Sequence, residues 1–271
     1  MIDWRPLAPF GAEVSHDLAA PLSDGEGAFL RDLVWAHGVV RVRGQALSMA
    51  RQREICALLG PILIRQGEGE ALSNAGGHPA TVSPLSWHAD AAYTDAPFDA
   101  IALHALDVVD DASSTLFIDA AAALARLPAA LRERLEGVTL EMISPAMDML
   151  AGRTCDVPDP VALKRGLYPA IRVNPHDGRR VLWPSELQTA RVVGMDWAES
   201  RELLRAVFDV LYDPAHVLEL MWREGDLVIW DNIGTQHARG NLSECGTRVL
   251  QRVIVGTAGV IPTIPEPGQA A

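Results

Sequence analysis

Gly225-Asp226-Leu227-Val228-Ile229-Trp230-Asp231-Asn232-Ile233-Gly234-Thr235-Gln236-His237 opens on a turn, continues as an apolar strand and ends on an imidazole. A strand of that kind would deliver His237 to the rim of a pocket. Similar runs recur at 101–104, 115–118, 171–173 and 249–255, each short and set off by turn residues, and strands of that length in that number point to a sandwich or barrel. Helical periodicity lies between them at 120–127, 129–135 and 197–211, the last opened by Asp196 with Glu199 three residues on, the spacing of a capping box. Nearer the N-terminus, Ser23 and Glu26 form a second such pair before a helix over 25–37. Val39-Val40-Arg41-Val42 then reads as a strand, and Ser48 opens another helix that Gly60-Pro61 closes. The chain therefore begins α-β-α and continues mainly in β. No internal repeat is visible.

Bulk properties fit this outline. A chain of 271 residues with 49% hydrophobic and 21% charged residues can bury a sizeable core, and β-barrels of this length fold as one unit; residues 1–271 read as a single domain. The net charge of −12 argues against nucleic acid or an anionic membrane as partner, because both attract clustered Lys and Arg. The N-terminus lacks the basic start and apolar run of a signal peptide, and no apolar stretch approaches the roughly 20 residues that cross a bilayer, so a cytoplasmic location is expected. Cys56, Cys155 and Cys245 are far apart and form no C-x-x-C pair, which indicates neither a disulfide framework nor a structural zinc site. The stretch 66–84 is a Gly-rich loop, 144–166 is rich in Pro, Gly and Asp and reads either as a pocket cover or as a surface loop, and 262–271 reads as an irregular tail. Nothing in the sequence sets the oligomeric state, a homo-oligomer included.

Chemistry enters with Trp87-His88-Ala89-Asp90. Residues two apart on a strand share a face, so this imidazole and carboxylate can converge on one metal ion. Joined by His237 they make two imidazoles and one carboxylate, which leaves three neighbouring coordination positions open, as in non-haem iron oxygenases; a structural zinc site would close its shell with four ligands. The plain alternative is a hydrogen-bonded strand pair and an unrelated histidine. Arg248 and Arg252 then lie four apart on the apparent strand 249–255 and its approach, on one face and roughly 13 Å from each other at about 3.3 Å per residue. Buried guanidinium groups need anionic partners and bind carboxylates as forks. One can hold a cosubstrate and the other a substrate.

At these residues the chain resembles the taurine dioxygenase-like (TauD/TfdA) family of Fe(II)/2-oxoglutarate-dependent oxygenases. His88-Ala89-Asp90 resembles that family's H-x-D motif, Ser114-Thr115-Leu116-Phe117-Ile118-Asp119 the segment whose threonine contacts 2-oxoglutarate, and Trp230-Asp231-Asn232 through His237 its distal-histidine motif. Arg172 to Arg180 is similar to its middle hairpin, and Gly11-Ala12-Glu13-Val14, His37-Gly38-Val39-Val40 and Leu59-Gly60-Pro61 to its N-terminal region. The resemblance implies a mainly β fold with flanking α-helices, a double-stranded β-helix (the cupin-like jelly roll). It implies Fe(II) on His88, Asp90 and His237, 2-oxoglutarate and O2 as cosubstrates, and Thr115 with Arg248 on the distal carboxylate. Hydroxylation with release of succinate and CO2 is the default outcome, with desaturation or ring formation open to the same chemistry. Because Asp90 is present, an iron-chloride site is disfavoured.

The same likeness suggests Arg252 as the arginine for an anionic substrate group and Arg65, Trp87 and Tyr93 as further substrate contacts. The chain departs from taurine-acting members in having Pro84 where they carry a substrate-binding asparagine, and in lacking their tyrosine after Arg65. The expected partner is a small anionic organic molecule, first a carboxylate such as an amino acid or natural-product precursor, with sulfonates or sulfate esters behind it. The rivals are a non-catalytic metal- or metabolite-binding jelly-roll protein and a metal-dependent hydrolase, neither of which needs a 2-oxoglutarate arginine.

Overall fold

The structure is a computed structural model that describes residues 2–64, 71–75, 82–145 and 149–257. Two sheets face each other across the site. The larger holds β1 (Asp3–Pro6), β2 (Ala12–Ser15), β3 (Val39–Val42), β4 (Ala71–Ser73), β6 (Ala100–Val108), β14 (Leu227–Asp231) and β16 (Arg248–Val255) in the order β1-β2-β3-β14-β6-β16-β4. The smaller holds β5 (Leu85–His88), β7 (Ser114–Asp119), β13 (Leu218–Met221) and β15 (Thr235–Arg239) in the order β13-β7-β15-β5. Only the β2·β3 pair of these two sheets is parallel. Chain neighbours β14 and β15 lie in different sheets, as the jelly roll requires.

Alternation along the strands sorts the core into layers. On β6, Ala100 and Ala102 point outward while Ile101, Leu103 and Ala105 point between the sheets; on β14, Leu227 and Ile229 point outward and Val228 and Trp230 inward. On β16, Val253 and Val255 oppose Leu250 and Ile254 in the same way. Helix α1 (Asp24–His37) covers the outer face, packing Leu30, Leu33, Val34 and Trp35 there, joined by Ile55 and Cys56 of α2 (Met49–Cys56). The expected capping box starts α1: the Ser23 hydroxyl accepts from the Glu26 backbone N–H and the Glu26 carboxylate accepts from that of Ser23. Helix α2 stops at Cys56, short of Gly60-Pro61.

The smaller sheet is backed by α3 (Ala120–Arg126), α4 (Ala129–Leu135) and α5 (Trp197–Leu211), together with a three-stranded sheet of β8 (Thr139–Pro145), β9 (Ala162–Pro169) and β12 (Thr189–Val192). Asp196 caps α5 by accepting from the N–H groups of Ala198 and Glu199, and Leu203, Leu204, Val207, Phe208 and Leu211 recur at helical spacing on its buried side. The hairpin of β10 (Ile171–Val173) and β11 (Arg180–Leu182) completes the described strands.

Two sequence expectations change here. Most of the expected strands are longer than their apolar runs. The stretch 144–166 is not loop throughout, because Ser144 and Pro145 end β8 and residues 162–166 belong to the antiparallel β9; their mixed composition conceals a hairpin whose two strands satisfy each other's backbone groups. Between them the backbone N–H of Ser86 donates to Leu150 and that of Gly152 donates to the Ser86 hydroxyl, which closes off the edge of β5. The tail 262–271 lies outside the described residues, as does much of 66–84, from which β4 emerges. No helix among the described residues is long and apolar enough to cross a membrane.

Leu203 is fully buried in the layer behind the smaller sheet. Leu203→Ala should lower unfolding free energy by about 2–5 kcal/mol, read as a shifted urea midpoint with an unchanged slope; a shift below about 1 kcal/mol would mean that α5 does not pack as described.

Candidate active site

The strand pair β5·β15 sets His88 opposite His237, with ring centroids 4.2 Å apart. The carboxylate arrives differently from the strand argument. β5 ends at His88, and Asp90 lies in the turn beyond it, just before Ala91 at φ 58. Asn232 holds that turn: its Oδ1 accepts from the Asp90 N–H at 2.9 Å, while its Nδ2 donates to the carbonyls of Asp90 and Phe98 at 3.0 Å. Asp231 beside it ties the link from β14 to β15 by accepting from the N–H groups of Ile233 and Gly234 and from Asn174 Nδ2. A side chain at Gly234 would collide with that carboxylate. The Trp-Asp-Asn run is thus a bracket whose apolar member lines the cavity and whose polar members set two of the three ligands.

One ligand atom each from His88, Asp90 and His237 lie within 4.8 Å of one another. The His88 Nδ1 faces the Ser86 carbonyl at 2.8 Å, which makes it the protonated nitrogen and leaves the Nε2 lone pair, 3.2 Å from Asp90 Oδ1, for a metal. Burial, reinforced by the neighbouring His88, pushes the His237 imidazole down to about 3, so it is a neutral donor at physiological pH. Its Nδ1 has no hydrogen-bond partner among the described residues. Burial works against the Asp90 charge, yet the two imidazoles beside it and the Arg252 guanidinium outweigh it and hold the carboxyl well below the usual range. Two neutral imidazoles and one carboxylate on one side of an ion fit iron(II).

A cavity of about 220 Å³ adjoins these groups. Leu72, Leu85, Ile101, Leu103 and Trp230 form its apolar wall, and Thr115, Arg239, Arg248 and Arg252 supply its polar groups. Arg248 is buried, its Nε has no hydrogen-bond partner among the described residues, and burial with the neighbouring Arg239 guanidinium pulls it down to about 10. It remains charged at neutral pH and calls for an anion. Thr115 Oγ1 accepts from Trp222 Nε1 at 3.0 Å, which leaves the hydroxyl hydrogen free to donate to a ligand. The Arg248 guanidinium lies over the same indole at 5.9 Å.

The structure therefore brings together His88, Asp90, His237, Thr115, Arg248 and Arg252. It does not bring Trp87 or Tyr93 to the cavity. Trp87 alternates with His88 on β5 and points to the opposite side, where its ring stacks on Tyr212 at 4.9 Å; Tyr93 packs against that same rear core. Arg65 lies outside the described residues. Sequence reasoning missed Arg239, which shares the parity of His237, and the indole of Trp222 beneath Thr115. It also left the bracket role of Asn232 unread.

A jelly roll with a two-histidine, one-carboxylate centre beside an arginine-bearing cavity defines a non-haem iron oxygenase architecture. The profile of the taurine catabolism dioxygenase TauD, TfdA family matches residues 3–254, and the chain belongs to that family. It is similar to an alpha-ketoglutarate-dependent sulfate ester dioxygenase of Pseudomonas putida, 29% identical over 290 residues, covering 96% of this chain and 91% of that protein. It is also 29% identical over 182 residues to pentalenolactone F synthase of Streptomyces arenae, a match that spans 63% of this chain and 61% of the synthase. The crystal structure of AAD-2 in complex with Mn(II) and N-oxalylglycine shares the fold with a TM-score of 0.82 at 23% identity, covering 96% of this chain and 98% of that one.

Asn232→Ala removes the three side-chain bonds by which Asn232 holds the Asp90 turn. Mn(II) affinity should fall about 10–100-fold, measured by calorimetry on protein whose far-UV circular dichroism is unchanged. Wild-type affinity in that variant would mean that the turn holds Asp90 without Asn232.

Proposed function

We propose that this protein is an Fe(II)/2-oxoglutarate-dependent oxygenase that oxidises a C–H bond of a small organic molecule carrying an anionic group. The observation that supports it most is the pairing of a three-ligand centre with a buried Arg248, whose Nε has no hydrogen-bond partner among the described residues, in one cavity. A hydrolase or a sensor that uses metal alone has no need of that second feature.

Iron(II) held by His88, Asp90 and His237 would supply the redox chemistry, in which O2 and 2-oxoglutarate are consumed, succinate and CO2 are released and one oxygen atom goes to the substrate. The residues do the rest by binding and orientation. Arg248 and the Thr115 hydroxyl would take the distal carboxylate of the keto acid, and the fork of Arg248 fixes its direction as well as its charge. Arg252, which lines the same cavity and is among the charges acting on Asp90, would orient the substrate's anionic group near the centre. The apolar wall of Leu72, Leu85, Ile101, Leu103 and Trp230 excludes water and suits a hydrocarbon body.

A carboxylate, as in an amino acid or natural-product precursor, suits the Arg252 fork. A sulfate ester is the second reading, favoured by the likeness to the Pseudomonas putida enzyme across almost the whole chain, since a guanidinium binds either anion. The segment from 149 to 153, pinned beside β5 by Ser86, is proposed as part of the cover over the site.

Incubation with Fe(II), ascorbate, 2-oxoglutarate and panels of carboxylates and sulfate esters should give substrate-dependent succinate. Arg252→Met should raise KM for the organic substrate about tenfold or more and leave slow substrate-free 2-oxoglutarate turnover within about twofold. No succinate with any anionic compound would count against the assignment; equal loss of both activities would move Arg252 out of the substrate site.

A further inference from the structure

Arg239 has no part in the sequence-based assignment, yet it lines the cavity with Thr115 and Arg248. Strand register places it there. Across β15·β7, His237 stands opposite Phe117 and Ala238 opposite Leu116. One further step along that antiparallel ladder sets Arg239 beside Thr115, on the face that His237 occupies. At about 3.3 Å per residue its Cα is roughly 7 Å along the strand from that of His237, the reach of a short dicarboxylate bound to the metal at its other end. Arg248 comes from the facing sheet, close enough that the Arg239 charge acts on it. The Arg239 Nη2 donates to the Ser83 carbonyl at 3.0 Å, which anchors the side chain to the backbone leading into β5.

We propose that Arg239 and Arg248 form a two-guanidinium clamp on the distal carboxylate of 2-oxoglutarate, with the Thr115 hydroxyl as the third donor. This rests on the reading of the chain as a 2-oxoglutarate enzyme and adds a binding residue to it. A carboxylate offers about four lone-pair positions, so one guanidinium fork and one hydroxyl leave capacity for a second arginine. The Arg239 charge acts against that of the buried Arg248, and an anion between the two guanidinium groups offsets that repulsion. The clamp also joins both sheets to one ligand, Arg239 from β15 and Arg248 from β16.

The test is calorimetric titration of the Mn(II)-loaded full chain with 2-oxoglutarate, for wild type, Arg239→Met, Arg239→Lys and Arg248→Met, with Mn(II) affinity measured alongside. Arg239→Met should weaken 2-oxoglutarate binding about tenfold or more, Arg239→Lys should recover part of it, and Mn(II) affinity should stay within about twofold of wild type. If Arg239→Met binds 2-oxoglutarate as wild type does while Arg248→Met does not, the clamp is wrong and the cosubstrate assignment stands. Joint loss of Mn(II) and 2-oxoglutarate in Arg239→Met would make its role structural and also overturn the clamp. Wild-type protein that binds Mn(II) and ignores 2-oxoglutarate would remove the underlying assignment itself.

Discussion

The antiparallel pairing of β5 with β15, which puts His88 directly across from His237, is the constraint on which the site depends. Neither histidine is near the other in sequence, and neither strand is longer than 5 residues. Their register is secured from behind, where Ile118, Leu203, Leu204 and Phe208 bury the rear layer, and at the ends, where Asp231 and Asn232 fasten the turns. A slip of one residue would turn His237 to the rear face and bring Gln236 forward. The rear face is occupied already: Gln236 Nε2 donates to the Pro184 carbonyl at 2.9 Å and its Oε1 accepts from the Tyr212 hydroxyl at 2.6 Å. Gln236 thus holds the register that turns His237 toward His88 and Asp90.

Electrostatics then divides the cavity into two ends. Asp90 and the imidazoles form one, with Arg252 close enough to favour the carboxylate's charge. Arg239 and Arg248 lie at the other, beside Thr115 and the Trp222 indole. The chain as a whole carries −12, so its outer field repels anions and the local arginines must hold them. Burying the Arg248 guanidinium beside a second cation is costly, and an anionic ligand that offsets this cost also stabilises the folded state by mass action. A pocket so arranged selects for two-ended anions over neutral molecules of the same size.

Much of this was legible in the sequence because local chemistry and tertiary placement agree. Ser23 with Glu26 and Asp196 with its following helix announce their caps, the apolar stretches of β6, β7, β14 and β16 announce buried strands, and the even spacing of Arg248 and Arg252 survives into the cavity. Where reading failed, the deciding contact came from elsewhere in the chain. The strand argument for Asp90 reached the His88, Asp90 and His237 cluster by the wrong route, since the turn is shaped by Asn232 from 142 positions away. Trp87 and Tyr93 adjoin the motif in sequence but belong to the rear core, as strand parity demands for Trp87. Arg239 was hidden because the cavity it lines is completed by Thr115 and Arg248 from other strands, and the β8·β9 hairpin because its Pro and Gly content resembles that of a loop.

Anaerobic addition of 2-oxoglutarate to the Fe(II)-loaded protein tests the central claim most directly, because it asks whether metal and keto acid meet at one place. A weak visible charge-transfer band that saturates at one keto acid per iron is the predicted result, and Asp90→Ala protein should not develop it. Stoichiometric iron binding with no band at saturating 2-oxoglutarate would contradict the account.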